Sequence, residues 1–443
     1  MRKKFVLCGR IDIDPARQIL LLHSVLPVFM RNIETLLLWL GILGGITLRC
    51  IDISVPDVLT DEAQFGLGTS AAHPPLGMAF FRAALMMGGS NILALRSVSI
   101  VLGILFLPLL YLLVREWMDR RGALLVTALG SLFPSAILFS RLAFLSMTQL
   151  FFWTLFVLLF LRVKNNGSEK EKIALFLAAV ASSSIKFQGF VIPFLFLAGR
   201  MMEKRGSVLR DDVSWILLLS LVPIALYDLT HPGVLASVLL YGGSADALGL
   251  IDRFMELFSV WWNILVFAVL LLPLSLLGCT RLRWEMHVFL GWVLLQGFLF
   301  GPSHEYYVTD LVLFVIPIAM LIARSQVSSI VVLPLMMMNA ILLLGPSFLV
   351  RSSWTNPLYQ QEGYWNLHAE EINNVLKDQD HVIVLGDAGH QLRWYMNPEI
   401  LVGKDMDLSA QTGVFLLLDP SIAVPFADGK KLYNDEQTRI IVR

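Results

Sequence analysis

Long apolar blocks separated by short polar stretches dominate the first 350 residues. Residues 92–114, ILALRSVSIVLGILFLPLLYLLV, and 261–279, WWNILVFAVLLLPLSLLGC, are typical. At 1.5 Å per residue, about 20 helical residues cross a hydrocarbon core of roughly 30 Å, so blocks of this length predict membrane spans. About eleven helices are expected, near 34–50, 91–114, 122–140, 144–161, 172–186, 188–203, 214–229, 258–279, 286–301, 308–323 and 328–349. A further helix is expected from Pro74 to Met87, with proline in its first turn, lying in the membrane interface.

The polar stretches sort by charge. One set of alternate loops holds Arg115, Arg120, Arg121, Arg162, Lys164, Lys170, Lys172, Arg200, Lys204, Arg205, Arg210, Arg281, Arg283 and Arg324. The other set holds only Arg82, Arg141, Lys186 and Arg253. Cytoplasmic loops carry the excess of Lys and Arg, so the N-terminus is predicted inside and, with an odd span count, residues 351–443 outside. This C-terminal stretch differs in kind. Short β-rich runs (HVIVLGD, EILVG, GVFLLLD, RIIVR) alternate with helical ones (NLHAEEINNVLKD, GHQLRWYM), predicting a small extracytoplasmic α/β domain with a partly parallel sheet. Its GDAG turn lacks the spacing of a dinucleotide fingerprint. The organisation expected is a cytoplasmic segment 1–33, a transmembrane domain 34–350 whose first outer loop is 51–90, and the domain 351–443. Residues 1–29 are a candidate upstream extension, because Met30-Arg31 ahead of a span is a natural start. The fold class is therefore an all-α polytopic membrane protein with a small α/β appendage.

Composition sharpens this picture. Hydrophobic residues make up 56% of the 443 and charged residues 15%, against roughly 25% charged in soluble domains. A chain with so few charges cannot clothe a water-facing surface, which excludes a soluble enzyme for most of its length. Lys and Arg (34) balance Asp and Glu (34), so no global field for nucleic acid exists. The three cysteines, Cys8, Cys50 and Cys279, are too scattered for a metal site or a disulfide framework.

Candidate chemistry lies on the outer loops. The loop 51–90 holds Asp61-Glu62 and then His73-Pro74-Pro75, at the level where a lipid headgroup would be met. Adjacent helical residues point roughly 100° apart, so the two acids should not face each other across a bond as glycoside-hydrolase carboxylates do. One acid is expected to act as base or metal ligand, Asp61 being the candidate for any divalent metal, and the other to hold substrate or structure. A helix N-cap, with Gln64 completing a capping box, is the plainer reading of Asp61. His73 is a candidate donor to a phosphate. Arg96, inside the second span, and Arg141, closing the third, are costly cations in a membrane. Snorkelling to the interface is the alternative for Arg141 and Lys186. His304, Tyr306 and Tyr307 complete the outer set.

Taken in order, the motifs are Asp61-Glu62, Pro74-Pro75-Leu76, Arg96-Ser97, Ser140-Arg141-Leu142-Ala143, Lys186 and His304-x-x-Tyr307 ahead of a span containing Pro317. Over residues 30–325 this resembles the C-type membrane glycosyltransferases, specifically the group of dolichyl-phosphate-mannose–protein mannosyltransferases and aminoarabinose lipid A transferases. The resemblance implies a many-helix fold with a large first outer loop and a lipid-facing cavity, in a multi-pass protein of the plasma membrane. It also implies transfer of a hexose or pentose from a polyprenyl-phosphate donor to a protein, lipid or glycan acceptor on the outer face. Carried over by position, Asp61 is the base or acceptor-orienting acid, with Glu62 beside it. His73 matches a position where some members contact the donor phosphate through lysine, and Lys186 matches a basic residue of the corresponding outer turn. Arg96, Arg141, His304 and Tyr307 complete the substrate-binding candidates. One departure is plain: the acid that many members carry after Arg-Leu-Ala is missing from Phe144-Leu145-Ser146-Met147-Thr148. Glu62, Asp228 and Glu305 are the candidates to stand in.

The chemistry is coherent without the family. A polyprenyl phosphate is already a good leaving group, so what remains is to take a proton from an acceptor and hold the phosphate as its charge develops. The competing readings are weaker in the sequence. Asp12-Ile13-Asp14 and Asp405-Met406-Asp407 are badly placed for a cytoplasmic nucleotide-sugar site, and Trp261-Trp262-Asn263 lacks the acid of an oligosaccharyltransferase motif. A lipid or glycan transporter or flippase is expected to show related halves, and none is seen. A catalytically degenerate transferase with a binding role is the remaining alternative, because of the missing acid.

Overall fold

In a computed structural model of the chain, each of the eleven apolar blocks is mainly helical over its described residues, in α or 3-10 form. The structure describes residues 15–51, 60–67, 73–89, 91–164, 167–204, 210–231, 250–280, 282–300, 305–322, 329–344 and 364–377, with strands at 381–385, 399–402, 414–417, 430–434 and 439–442. The first helix, α1, runs Pro15–Cys50 and so continues the first span well upstream of its expected start. Two short helices of the first outer loop follow, α2 (Thr60–Leu67) and α3 (Pro75–Gly88). The latter is a helix where one was expected, with Pro75 in the first turn, where a missing N–H costs nothing. Next come α4 (Ile92–Arg115), α5 (Arg120–Ser131), α6 (Pro134–Arg141), α7 (Leu145–Lys164), α8 (Glu169–Ile185), α9 (Val191–Lys204), α10 (Asp212–Ser220) and α11 (Val222–Thr230).

The expected span 122–140 is broken: α5 and α6 meet at 56°. Pro134 has no N–H to give to the preceding turn and its ring disfavours a helical residue before it, so α5 stops at Ser131 and α6 restarts at Pro134. Every residue from Gly122 to Leu150 is buried, so the broken pair lies at the centre of the bundle. Among the described residues, four stretches are long and apolar enough to cross a membrane, Asn32–Cys50, Ile92–Arg115, Leu145–Lys164 and α10 with α11 taken together, and five with the bent pair counted as one.

Apolar residues point both ways. On α1, Leu38 and Ile42 are buried while Leu36, Leu40 and Leu43 are exposed, and on α4 Leu110 and Leu113 are buried while Val101, Leu105 and Leu112 are exposed. A helix apolar on its outer face as well suits lipid rather than water.

Described members of the two basic sets fall at opposite ends of the bundle. At the far end of α7, Lys164 bonds Glu203 of α9 and Glu285, each at 2.6 Å, and Arg200 pairs with Asp211 at 2.9 Å. Burial opposes the charge on Asp211, but hydrogen bonds from Arg200 and Ser214 hold its carboxyl below the usual range. At the near end of α7 stand Arg141, just before it, and Lys186, reached from α8. Twenty helical residues, roughly 30 Å, separate the two ends of α7.

The remaining helices are α12 (Leu250–Leu265), α13 (Leu271–Cys279), α14 (Trp284–Phe300), α15 (Val315–Ile322), α16 (Ser329–Leu344) and α17 (Tyr364–Val375). A five-stranded sheet follows: β1 (His381–Leu385), β2 (Glu399–Val402), β3 (Val414–Leu417), β4 (Lys430–Asn434) and β5 (Arg439–Val442), in the order β2-β1-β3-β5-β4. β1 pairs parallel with β2 and β3, and β5 pairs antiparallel with β3 and β4. The sheet is thus partly parallel, as expected; β4, KKLYN, is too polar to have stood out. The expected helix at 389–396 lies outside the described residues.

The α1–α5 contact depends on Gly45. A Cβ there would overlap the Oγ and the carbonyl of Ser131. Gly45→Ala should therefore destabilise the protein by about 1–3 kcal/mol, the usual cost of overpacking. Gly291→Ala, where a Cβ meets nothing within 4 Å, should be neutral or slightly stabilising. Thermal unfolding of both variants in detergent checks the contrast.

Candidate functional site

Glu62 is wholly buried, as is Arg96. Arg96 Nε donates to Glu62 Oε1 at 2.8 Å and Nη2 donates to Oε2 at 2.7 Å, a two-pronged pair. Glu62 Oε1 also accepts the backbone N–H of Ala143 at 2.6 Å. The carboxylate therefore ties the first outer loop to α4 and to the turn between α6 and α7. Of the two acids expected to divide between chemistry and holding substrate or structure, Glu62 is thus the one bound to Arg96, itself a substrate-binding candidate. Both side chains are enclosed by protein, and each supplies the other's counter-charge. Asp61 lies in the first turn of α2, and its side chain lies outside the described residues.

His73 is half-buried just ahead of α3. Its carbonyl accepts from Tyr227 Oη at 3.2 Å. Its ring lies 5.8 Å from Phe65 of α2 and 5.9 Å from Phe187. Phe65 in turn meets Phe81 and Phe144 at 6.1 and 6.4 Å, so an aromatic group joins the outer loop to the head of α7. Lys186 ends α8 in extended conformation (φ −130°, ψ 155°), which turns its side chain out of the helix direction. Its Nζ donates to Ser146 Oγ at 3.3 Å, and only 4% of the residue is exposed. Arg141, at the end of α6, is 2% exposed. Both cations are thus enclosed by protein, and the snorkelling alternative is overturned for each. Glu62, His73, Arg96, Arg141 and Lys186 gather around one end of the bundle through these contacts. Tyr307 belongs to the 3-10 segment Glu305–Phe314, but its side chain and those of Tyr306 and Glu305 lie outside the described residues, as does His304 altogether. Asp228, next to Tyr227, is half-buried.

Two buried groups at this end were not singled out in the sequence. Arg49 is fully buried at the end of α1. Its Nη1 donates to the carbonyls of Gly45 (2.7 Å) and Ser131 (2.6 Å), and its Nε donates to Ser140 Oγ (3.2 Å). The guanidinium thus satisfies a carbonyl released by the break before Pro134. Asp310, in the segment Glu305–Phe314, is 3% exposed. Its Oδ2 accepts from Gln296 Nε2 at 2.8 Å, and its Oδ1 has no hydrogen-bond partner. A lone charge inside an apolar run was the available signal for both. Among the described residues, no three His, Cys, Asp or Glu side chains gather to hold a metal.

Residues 72–227 match the family model described as dolichyl-phosphate-mannose-protein mannosyltransferase. ArnT from Cupriavidus metallidurans in its apo state superposes with a TM-score of 0.61 at 14% identity, covering 91% of this chain and 97% of that one. The chain shares the fold of this ArnT. The same ArnT bound to undecaprenyl phosphate gives 0.62 at 12% identity, with equal coverage. The Archaeoglobus fulgidus oligosaccharyltransferase covers 83% of this chain and 62% of its own at 14% identity, with a TM-score of 0.49. No curated protein sequence matches the chain. The segment matched by the family model carries His73, Arg96, Arg141 and Lys186.

Glu62→Gln leaves Arg96 buried without its charge partner, and breaking such a pair costs about 3–5 kcal/mol. A sharply lowered unfolding temperature is expected for this variant. The double variant E62M/R96M, which buries no charge, should unfold closer to the parent. Equal unfolding temperatures for Glu62→Gln and the parent would remove the pair as the anchor of the outer loop.

Proposed function

We propose that this protein is an integral membrane glycosyltransferase that moves a sugar from a polyprenyl-phosphate donor to an acceptor on the extracytoplasmic face. The observation that carries this reading is the gathering of His73, Arg141 and Lys186 at the end of the bundle where the Glu62–Arg96 pair holds α2, and with it Asp61. The family match over residues 72–227 and the fold shared with ArnT support it. Undecaprenyl phosphate, present in one ArnT structure, is a lipid phosphate of the class proposed as donor carrier.

In the reaction, an acceptor hydroxyl or amine attacks the anomeric carbon of the lipid-borne sugar. A new bond forms to that carbon while its bond to the phosphate oxygen breaks. The polyprenyl phosphate leaves with the electron pair, and the acceptor proton passes to Asp61 as general base. Lys186, Arg141 and His73 are assigned to the phosphate, whose negative charge grows as the bond breaks; His304 and Tyr307 are assigned to the same outer rim. Any divalent metal would be held through Asp61. Glu62 and Arg96 are assigned to holding the loop. The end carrying Lys164, Arg200 and Glu203 is assigned to the cytoplasm and residues 351–443 to the outside, following the excess of basic residues.

Asp61→Asn should fold normally and lose transfer by about a hundredfold or more, the usual scale for a general base. The measurement is release of label from a radiolabelled polyprenyl-phosphate sugar by purified protein, and parental rates would remove Asp61 from the chemistry. A single cysteine introduced in residues 351–443 should react with a membrane-impermeant thiol reagent on intact cells; protection there combined with labelling after permeabilisation would reverse the orientation.

A further inference from the structure

Lys186 is the residue at which α8 gives way to a 3-10 turn, Phe187–Phe190, and α7 grips the chain on both sides of it. Gln149 Nε2 donates to the carbonyl of Ser182 at 2.9 Å, before Lys186, and Trp153 Nε1 donates to the carbonyl of Gly189 at 3.2 Å, after it. The lysine ammonium itself reaches Ser146 Oγ at 3.3 Å. Ser146, Gln149 and Trp153 stand at i, i+3 and i+7, one face of a helix, and all three are buried. Between the two gripped carbonyls the chain closes on itself, the N–H of Gly189 donating to the carbonyl of Lys186 at 2.9 Å. Gly189 also passes so near Ser182 that a Cβ there would overlap its carbonyl oxygen and crowd Oε1 of Gln149.

We infer that Gln149 and Trp153 are positioning residues for Lys186: by clamping the backbone on either side of it to α7, they set where its ammonium stands at the near end of the bundle, ready for the phosphate of a lipid-borne sugar. The phosphate as ligand rests on the reading proposed above; the clamp does not. A lysine side chain loses much rotamer freedom when its ammonium is placed, and a cation already in position when the phosphate arrives binds it at less cost. Hydrogen bonds to backbone carbonyls fix direction as well as distance. The clamp is therefore lost with the donors, even where the volume of the side chain is kept.

The test is a cycle of affinities for undecaprenyl phosphate, measured on the purified full chain in detergent. Gln149→Met keeps the length of the side chain and removes the donor. This variant should raise Kd about tenfold, and Lys186→Met at least as much. In Q149M/K186M the loss of Gln149 should add less than about a further twofold, because a residue that acts only through Lys186 then has nothing left to position. Factors that multiply in the double variant would overturn the inference, and so would a parental Kd for Gln149→Met. Trp153→Phe, which keeps a ring and loses the N–H, should behave alike and carries the cycle if Gln149→Met does not fold. Loss of the fold in both variants would give this face of α7 a purely structural role and overturn the inference.

A second measurement needs no lipid. Acetic anhydride acylates lysine amines, and mass spectrometry of the digested protein reads each site. Lys186 should label slowly in the parent and about fivefold faster or more in Gln149→Met, as local opening becomes easier. Lys164, at the far end of α7, should label as in the parent. Unchanged labelling of Lys186, or equal acceleration at both lysines, would overturn the clamp. Failure of the parent to bind undecaprenyl phosphate, or parental binding by Lys186→Met, would instead sink the phosphate role of Lys186 and leave the labelling contrast to decide the positioning.

Discussion

A carboxylate and a guanidinium that would each be intolerable alone in an apolar interior hold one end of this helix bundle together. Glu62 comes from a short helix in a loop, Arg96 from the first turns of a long span, and Ala143 N–H from the turn after the broken pair. Their mutual attraction is strong in a poorly polarisable surrounding, and the geometry satisfies both charged groups. Three segments far apart in sequence are thereby fixed in one place. The aromatic contacts of His73 with Phe65 and Phe187 extend the same junction to the end of α8. The loop that carries Asp61 is held by charge first and by apolar packing second.

The bundle's two ends treat their charges differently. At the far end of α7, Lys164 and Arg200 share Glu203, Glu285 and Asp211 in a network of short bonds. At the near end the described buried cations are Arg49, Arg96, Arg141 and Lys186, and the described buried carboxylates are Glu62 and Asp310. An excess of enclosed positive charge is what a phosphate-bearing lipid would complement, and this asymmetry fits a site at the near end better than polar groups at mid-bilayer, as transport requires.

The spans were legible because apolar blocks of membrane length admit few other structures. The break between α5 and α6 was not, since Pro134 inside an apolar run fits a kink, a cap or a continuous helix until neighbours are known. Arg96, Arg141 and Lys186 stood out as charges where charges are costly. Their roles did not all follow: the partner of Arg96 is Glu62, thirty-four residues earlier, and sequence adjacency set Glu62 beside Asp61 instead. Asp310 and Arg49 were less legible, because each lies inside the end of an apolar run and finds its partners only through tertiary packing. Strands β1, β2, β3 and β5 showed as β-rich runs; β4, with two lysines and an asparagine, did not.

The bent centre of the bundle also bears on how the protein is made. Neither half of the broken pair, twelve and eight residues long, can bridge a bilayer, and their bend exposes carbonyls that lipid cannot satisfy. Arg49 of α1 supplies part of what is missing, and α4 and α7 pack around the rest. A nascent chain is therefore expected to deliver this region into the membrane only in the company of its neighbours, so that biogenesis proceeds by joint partitioning of several segments and not one hairpin after another.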